Sequence, residues 1–156
     1  VSHAFHSQMM DPILEEFRSV AQSIDYKSPR KILISNITGK PWGDKQLLAN
    51  YWVDHLRGAV RFADGIAYAQ LKKFQTFVEI GPKPTLLGLG RASVPPEFGT
   101  WLPSFRPKSE WSTLLSSVAQ LYVRGVEINW LEFYSHEKSQ RMKLPNYLLF
   151  TVLIFN

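Results

Sequence analysis

The chain has 156 residues, 45% of them hydrophobic and 20% charged, enough for one domain or a large piece of one, and a balance that excludes a disordered chain. The net charge is +5. Its basic residues are scattered (Arg30 and Lys31, Lys72 and Lys73, Arg106 and Lys108, Arg141 and Lys143) rather than set in a stripe with aromatics, which speaks against a nucleic-acid groove. Cysteine is absent, which excludes disulfides, thiolate metal sites and a cysteine nucleophile, and fits an intracellular, cytoplasmic protein.

The chain opens at Val1, not Met, with no basic-then-apolar leader, so Val1 reads as a cut end. Asp11 as N-cap, Pro12 at the first helical position and Ile13, Leu14, Phe17, Val20, Ala21 and Ile24 at helical spacing predict an amphipathic helix over 12–24. After Pro29, the apolar run KILISNI (31–37) predicts a buried strand, closed by turn residues 38–41. Helices are expected at 45–56 and 62–73, a strand at 76–80 stopped by Gly81-Pro82, and a short helix from Pro84 to Gly90.

Strand, glycine turn and helix in succession is an α/β pattern. The proline-bearing stretch 92–109 then reads as an extended linker. It is followed by one amphipathic helix carrying Trp111, Leu114, Leu115, Val118, Leu121 and Tyr122, with Glu110 near its start and Gly125 near its end. Residues 131–143 read as polar and irregular. The run YLLFTVLIF (147–155) is too short for a membrane span, which needs about 20 apolar residues. It reads as a strand or an atypical apolar tail over 148–156.

The densest chemical cluster is VSHAFHS at 1–7, with His3 and His6 between two serines. A His-x-x-His pair can ligate a metal, yet no further ligand stands at a firm metal spacing. No G-x-S-x-G elbow, P-loop or G-x-G-x-x-G occurs in the chain. Taken residue by residue, the chain offers a base without its nucleophile.

Six blocks in order carry a resemblance: VSHAFHS (1–7), YWVDHLRGAVRFADGI (51–66), TFVEIGPKPTLLGLGR (76–91), WLPSFRP (101–107), EWSTLLSSVAQLYVRGVEINW (110–130) and KLPNY (143–147). Together they closely resemble the C-terminal part of the acyltransferase domain of modular type I polyketide synthases, with its trailing linker. The resemblance implies an α/β fold: the end of an α/β-hydrolase-like large subdomain over 1–91, then a post-acyltransferase linker over 92–147. It implies a malonyl extender unit passed from coenzyme A, through a serine of a G-H-S-x-G elbow, to the phosphopantetheine of an acyl carrier protein. No bound cofactor is implied. The partners implied are the acyl carrier protein, the ketosynthase and the other synthase domains, with no nucleic acid and no membrane.

By position in the resemblance, His6 is the general base and acid of that dyad, a role suited to imidazole. The family orients this ring with a backbone carbonyl, which falls at His55, whose own side chain reads as a polar group at a helix end. His3-Ala4-Phe5 resembles the specificity motif of malonyl-selecting members, with the Phe5 ring filling the space of an α-methyl group. The segment carrying the serine, the arginine for the malonyl carboxylate and the oxyanion donors is not in this sequence. A non-catalytic piece that joins synthase domains is the alternative reading.

Overall fold

The computed structural model describes residues 4–43 and 48–136. His3 and the tail 148–156 lie outside the described residues. The chain divides into two compact units, Val1–Ser117 and Val118–Asn156.

In the first unit a single 3₁₀ stretch, Gln8–Ile13, leads into α1 (Leu14–Gln22). Ser7, not Asp11, caps this entry: its Oγ accepts the Met9 N–H, while Asp11 and Pro12 sit inside the 3₁₀ stretch. The expected helix over 12–24 therefore begins earlier in a tighter form and ends at Gln22. Its apolar stripe is narrower than the spacing suggests, since Ile13, Val20 and Ile24 are exposed and Ala21 alone is buried.

α1 packs on α2 (Ala49–Arg57). Arg18 of α1 bonds Asn50 at the start of α2, and Arg57 at its end pairs with Asp11. These polar links at the two ends, with Val53 buried between, fix the C-terminal turn of α2 beside the N-terminal segment.

The expected strand at 31–37 is not one. Ile34 makes an isolated antiparallel bridge to Pro41, and the chain between them is a turn. The cause is Ser35, which is buried and whose Oγ accepts the N–H groups of Ile37 and Thr38. A side-chain oxygen that satisfies two local donors competes with a strand ladder.

α3 (Phe62–Leu71), β1 (Thr76–Glu79), α4 (Thr85–Ala92) and β2 (Thr100–Pro103) form the α/β part. β1 and β2 pair in parallel, Thr76 opposite Thr100 through Glu79 opposite Pro103, with α4 as the crossover. β2 corrects the reading of 92–109 as an extended linker. Its four residues lie among prolines and glycines and show no period of their own. They become a strand because β1 offers a ladder and because Trp101 and Leu102 are buried.

The core joins Ile66 of α3, Leu87 of α4 and Trp101 of β2, with Phe62, Phe77, Val94 and Phe98 around it. Phe77 and Trp101 face each other across the ladder, their rings stacked at 4.2 Å and 11°. Glu79 at the end of β1 accepts the N–H groups of Leu86 (3.0 Å) and Leu87 (2.8 Å), which ties the strand to the first turn of α4. Val78 and Ile80 remain exposed, although the strands of parallel sheets are ordinarily covered on both faces.

α5 (Glu110–Tyr122) matches the expected amphipathic helix, and its Ser117 donates from Oγ to the Pro103 carbonyl at 2.7 Å. In the second unit Gly125, at φ 84°, closes α5 by donating to the Tyr122 carbonyl. A short helix, α6 (Trp130–Phe133), capped by Asn129, stands where 131–143 was read as irregular. Trp130 meets Tyr122, Phe133 and Tyr134 in an aromatic cluster.

Candidate functional site

The site gathers where the N-terminal segment crosses the end of α2. Helix C-termini leave carbonyls without intrahelical partners, and His6 uses three carbonyls there. Its backbone N–H donates to the Leu56 carbonyl at 3.0 Å. Its Nδ1 lies 2.8 Å from the carbonyl oxygen of His55 and 3.0 Å from that of Gly58. A carbonyl can only accept, so Nδ1 carries a proton, and of the two neutral tautomers the contacts favour the one with its lone pair on Nε2. The contacts therefore select the tautomer that a general base requires.

Two backbone features make this convergence. His6 is in the left-handed region at φ 62°, a conformation that costs a non-glycine residue energy and is less rare for histidine than for most. Gly58, the C-cap of α2, leaves the helix in an extended conformation (φ −83°, ψ 160°) while its N–H still reaches the Asp54 carbonyl. A Cβ at Gly58 would stand 2.8 Å from that carbonyl oxygen, so glycine lets the chain turn here and present its own carbonyl to His6.

Around the two histidines lies a ring of aromatic and amide groups. The His6 and His55 rings are 5.3 Å apart and tilted by 56°. Tyr51, one turn earlier on α2, lies parallel to His55, and Trp52 meets it edge-on. Asn36, from the turn after Ser35, reaches His55 Nε2 through Nδ2 at 3.2 Å. The pKa of His55 lies below its ordinary value of 6.5, first because the ring is partly withdrawn from water and second because His6 stands beside it.

Of the residues singled out in the sequence, the structure brings His6 and His55 together through the His55 main-chain carbonyl. Ala4 takes part through its own carbonyl, which accepts from Ser7 Oγ at 2.7 Å. Phe5 is half exposed, its ring 6.5 Å from that of His6. Asn36 and Gly58 were missed. A glycine directly after the Arg57 helix end was a visible signal for a C-cap. Nothing in the sequence marks Asn36, because its partner is nineteen residues away. Among the described residues no group of three His, Asp or Glu side chains is arranged to hold a metal ion. No helix among them is long and apolar enough to cross a membrane.

The family model of the acyl transferase domain matches residues 1–127. The chain belongs to the acyltransferase domains of type I polyketide synthases. Polyketide synthase GfsB of Streptomyces halstedii is 36% identical over 150 residues, covering 94% of this chain and 3% of that protein. The mycoketide-CoA synthase of Mycobacterium tuberculosis is 39% identical over 148 residues, covering 94% of this chain and 4% of its own length. Among solved structures, the acyltransferase domain from the second module of the salinomycin polyketide synthase superposes with a TM-score of 0.78 at 39% identity, over 93% of this chain and 34% of that one. The acyltransferase domain of ZmaA gives 0.75 at 31% identity, over 90% and 34%. The chain thus spans about a third of the solved acyltransferase domains and a few per cent of the synthases it matches.

Proposed function

We propose that this chain supplies the histidine of an acyltransferase that moves a malonyl unit from coenzyme A to the phosphopantetheine thiol of an acyl carrier protein. The observation that carries this reading is the grip of two main-chain carbonyls on His6 Nδ1, which leaves Nε2 as a base. The nucleophile is a serine outside this sequence, in the part of the domain that builds the rest of an α/β-hydrolase-like sheet. The exposed Val78 of β1 and Ile80 just after it are consistent with a layer in that part of the domain that covers this face of the sheet.

His6 Nε2 takes the serine proton as the serine oxygen attacks the malonyl thioester, and returns it to the departing coenzyme A thiol. The same exchange then runs with the carrier-protein thiol as acceptor. The positive charge that forms on the ring faces the carbonyl end of α2, where the helix dipole is negative. Oriented carbonyls do here what a carboxylate does in Ser-His-Asp triads. Phe5, in the motif it forms with His3 and Ala4, disfavours an α-methyl substituent on the acyl group. The acyl carrier protein and ketosynthase are the partners, and the cytoplasm is the compartment.

The test is acylation of the complete domain by malonyl-CoA, followed by mass spectrometry of the intact protein. His6→Ala should abolish fast loading of the serine, leaving only a small residual rate. Loading at near the unaltered rate would overturn the assignment of His6 as the base.

A further inference from the structure

The carbonyl grip on His6 accounts for the main chain of His55 but not for its side chain, which is held from three directions. Asn36 Nδ2 donates to His55 Nε2 at 3.2 Å, so Nε2 carries a lone pair and the ring is neutral, protonated at Nδ1. Asn36 is itself fixed: its N–H donates to Tyr51 Oη at 3.2 Å, and its carbonyl accepts the Arg61 N–H at 2.7 Å. The Tyr51 ring lies parallel to His55 at 5.9 Å, with 5° between planes. On the remaining side stands His6, at 5.3 Å between centroids.

We propose that the His55 side chain is a positioning residue for His6: clamped by Asn36 and Tyr51, it fixes the last turn of α2, whose carbonyls orient His6, and it presents an uncharged ring beside the one that accepts the proton. This rests on the reading of His6 as the base. If His55 were an imidazolium, each proton transfer to His6 would place two cations ring to ring. Partial burial and the neighbouring His6 both lower the His55 pKa, in the same sense as the Asn36 bond. The ionisable groups facing His55 are His6 from the N-terminal segment and Tyr51 from its own helix. The charged residues that follow, Arg57 and Arg61, are each engaged by a carboxylate, of Asp11 and Asp64.

The complete acyltransferase domain is the material for the test. ¹⁵N imidazole spectra of the unaltered domain at neutral pH should show His55 with Nδ1 protonated and Nε2 bare. An imidazolium, or the opposite tautomer, would overturn the proposal. Asn36→Asp puts a carboxylate against Nε2 and should make His55 a cation at neutral pH. The acid limb of the malonyl-CoA loading profile should then move to lower pH by about one unit, with a lower plateau. Adding His55→Asn to Asn36→Asp should return the limb to its original position. A uniform loss of rate with an unmoved limb would mean a merely structural clamp, and a displacement that survives in the double variant would assign it to the new carboxylate. Either result overturns the proposal. His6→Ala separates the levels: if it loads normally, the reading of His6 fails, and if it does not load while the Asn36→Asp limb stays put, only the role of the His55 side chain fails.

Discussion

Gly90 of α4 lies directly against the indole of Trp101 in β2: a Cβ on Gly90 would stand 2.5 Å from Trp101 Cζ3 and 2.9 Å from Cη2. Helix and strand approach this closely because the glycine has no side chain. The indole is buried, stacked on Phe77 and bonded through Nε1 to the Phe98 carbonyl at 2.9 Å, so displacing it disturbs both contacts. Gly90→Ala gains about 1 kcal/mol of helix propensity but overpacks the core at a cost of about 1–3 kcal/mol. The net expectation is a less stable chain with an altered Trp101 environment. Urea unfolding followed by tryptophan fluorescence checks it, and a stabilised variant would contradict the packing argument.

Glu79 should matter for α4 rather than for chemistry. Its carboxylate accepts two of the N–H groups that a helix start leaves unpartnered. Glu79→Ala should cost about 1–2 kcal/mol, in the range of losing a helix cap. Glu79→Gln keeps one acceptor oxygen and should cost less. Unfolding midpoints of the two variants decide the order.

Gly58 is expected to affect loading more than stability. In Gly58→Ala the new Cβ must move away from the Asp54 carbonyl, and the Gly58 carbonyl that holds His6 moves with it. A displacement of about 1 Å at a catalytic group can lower a rate by about a hundredfold. Serine loading by malonyl-CoA in the complete domain, set beside the unfolding midpoint, separates the two effects.

His55 links stability to pH. Its folded-state pKa lies below the ordinary value of 6.5, so the unfolded chain binds this proton more readily. The associated stability is fully present above pH 6.5 and is lost as pH falls through the lower folded-state value. The difference in unfolding free energy between the unaltered chain and His55→Asn should be constant above neutral pH and shrink on acidification. A pH-independent difference would argue against a His55 that folds in its neutral form.

Phe5→Ser combined with His3→Tyr should raise the ratio of methylmalonyl to malonyl loading. Room for one methyl group is worth about 1–3 kcal/mol, so a change of about tenfold or more is expected. Competition between the two thioesters for the complete domain, read by mass spectrometry, gives the ratio directly. An unchanged ratio would remove Phe5 from the acyl site.

The sequence displayed some of this and concealed the rest for definite reasons. α3, β1, α4 and α5 were legible because each has a periodic apolar pattern or a glycine or proline boundary of its own. β2 was hidden because four residues, the last of them Pro103, have no period of their own, and only β1 makes them a strand. Residues 31–37 looked like a strand because Ile32, Leu33 and Ile34 are apolar. The hydroxyl of Ser35 turned the chain instead, and Ile32 and Leu33 are exposed.

By itself the sequence determined the family, the succession α3, β1, α4 and His6 as the residue to examine, since these reside in local runs of side chains. Only the tertiary structure decided how His6 is held. Every residue has a carbonyl, so no residue type announces that His55 and Gly58 will offer theirs to one imidazole nitrogen. That depends on where α2 ends, on a glycine that turns the chain there, and on a histidine in the left-handed region that brings its ring back to the helix end. The clamp of Asn36 on His55 is hidden for the same reason, because it joins a turn to a helix nineteen residues away.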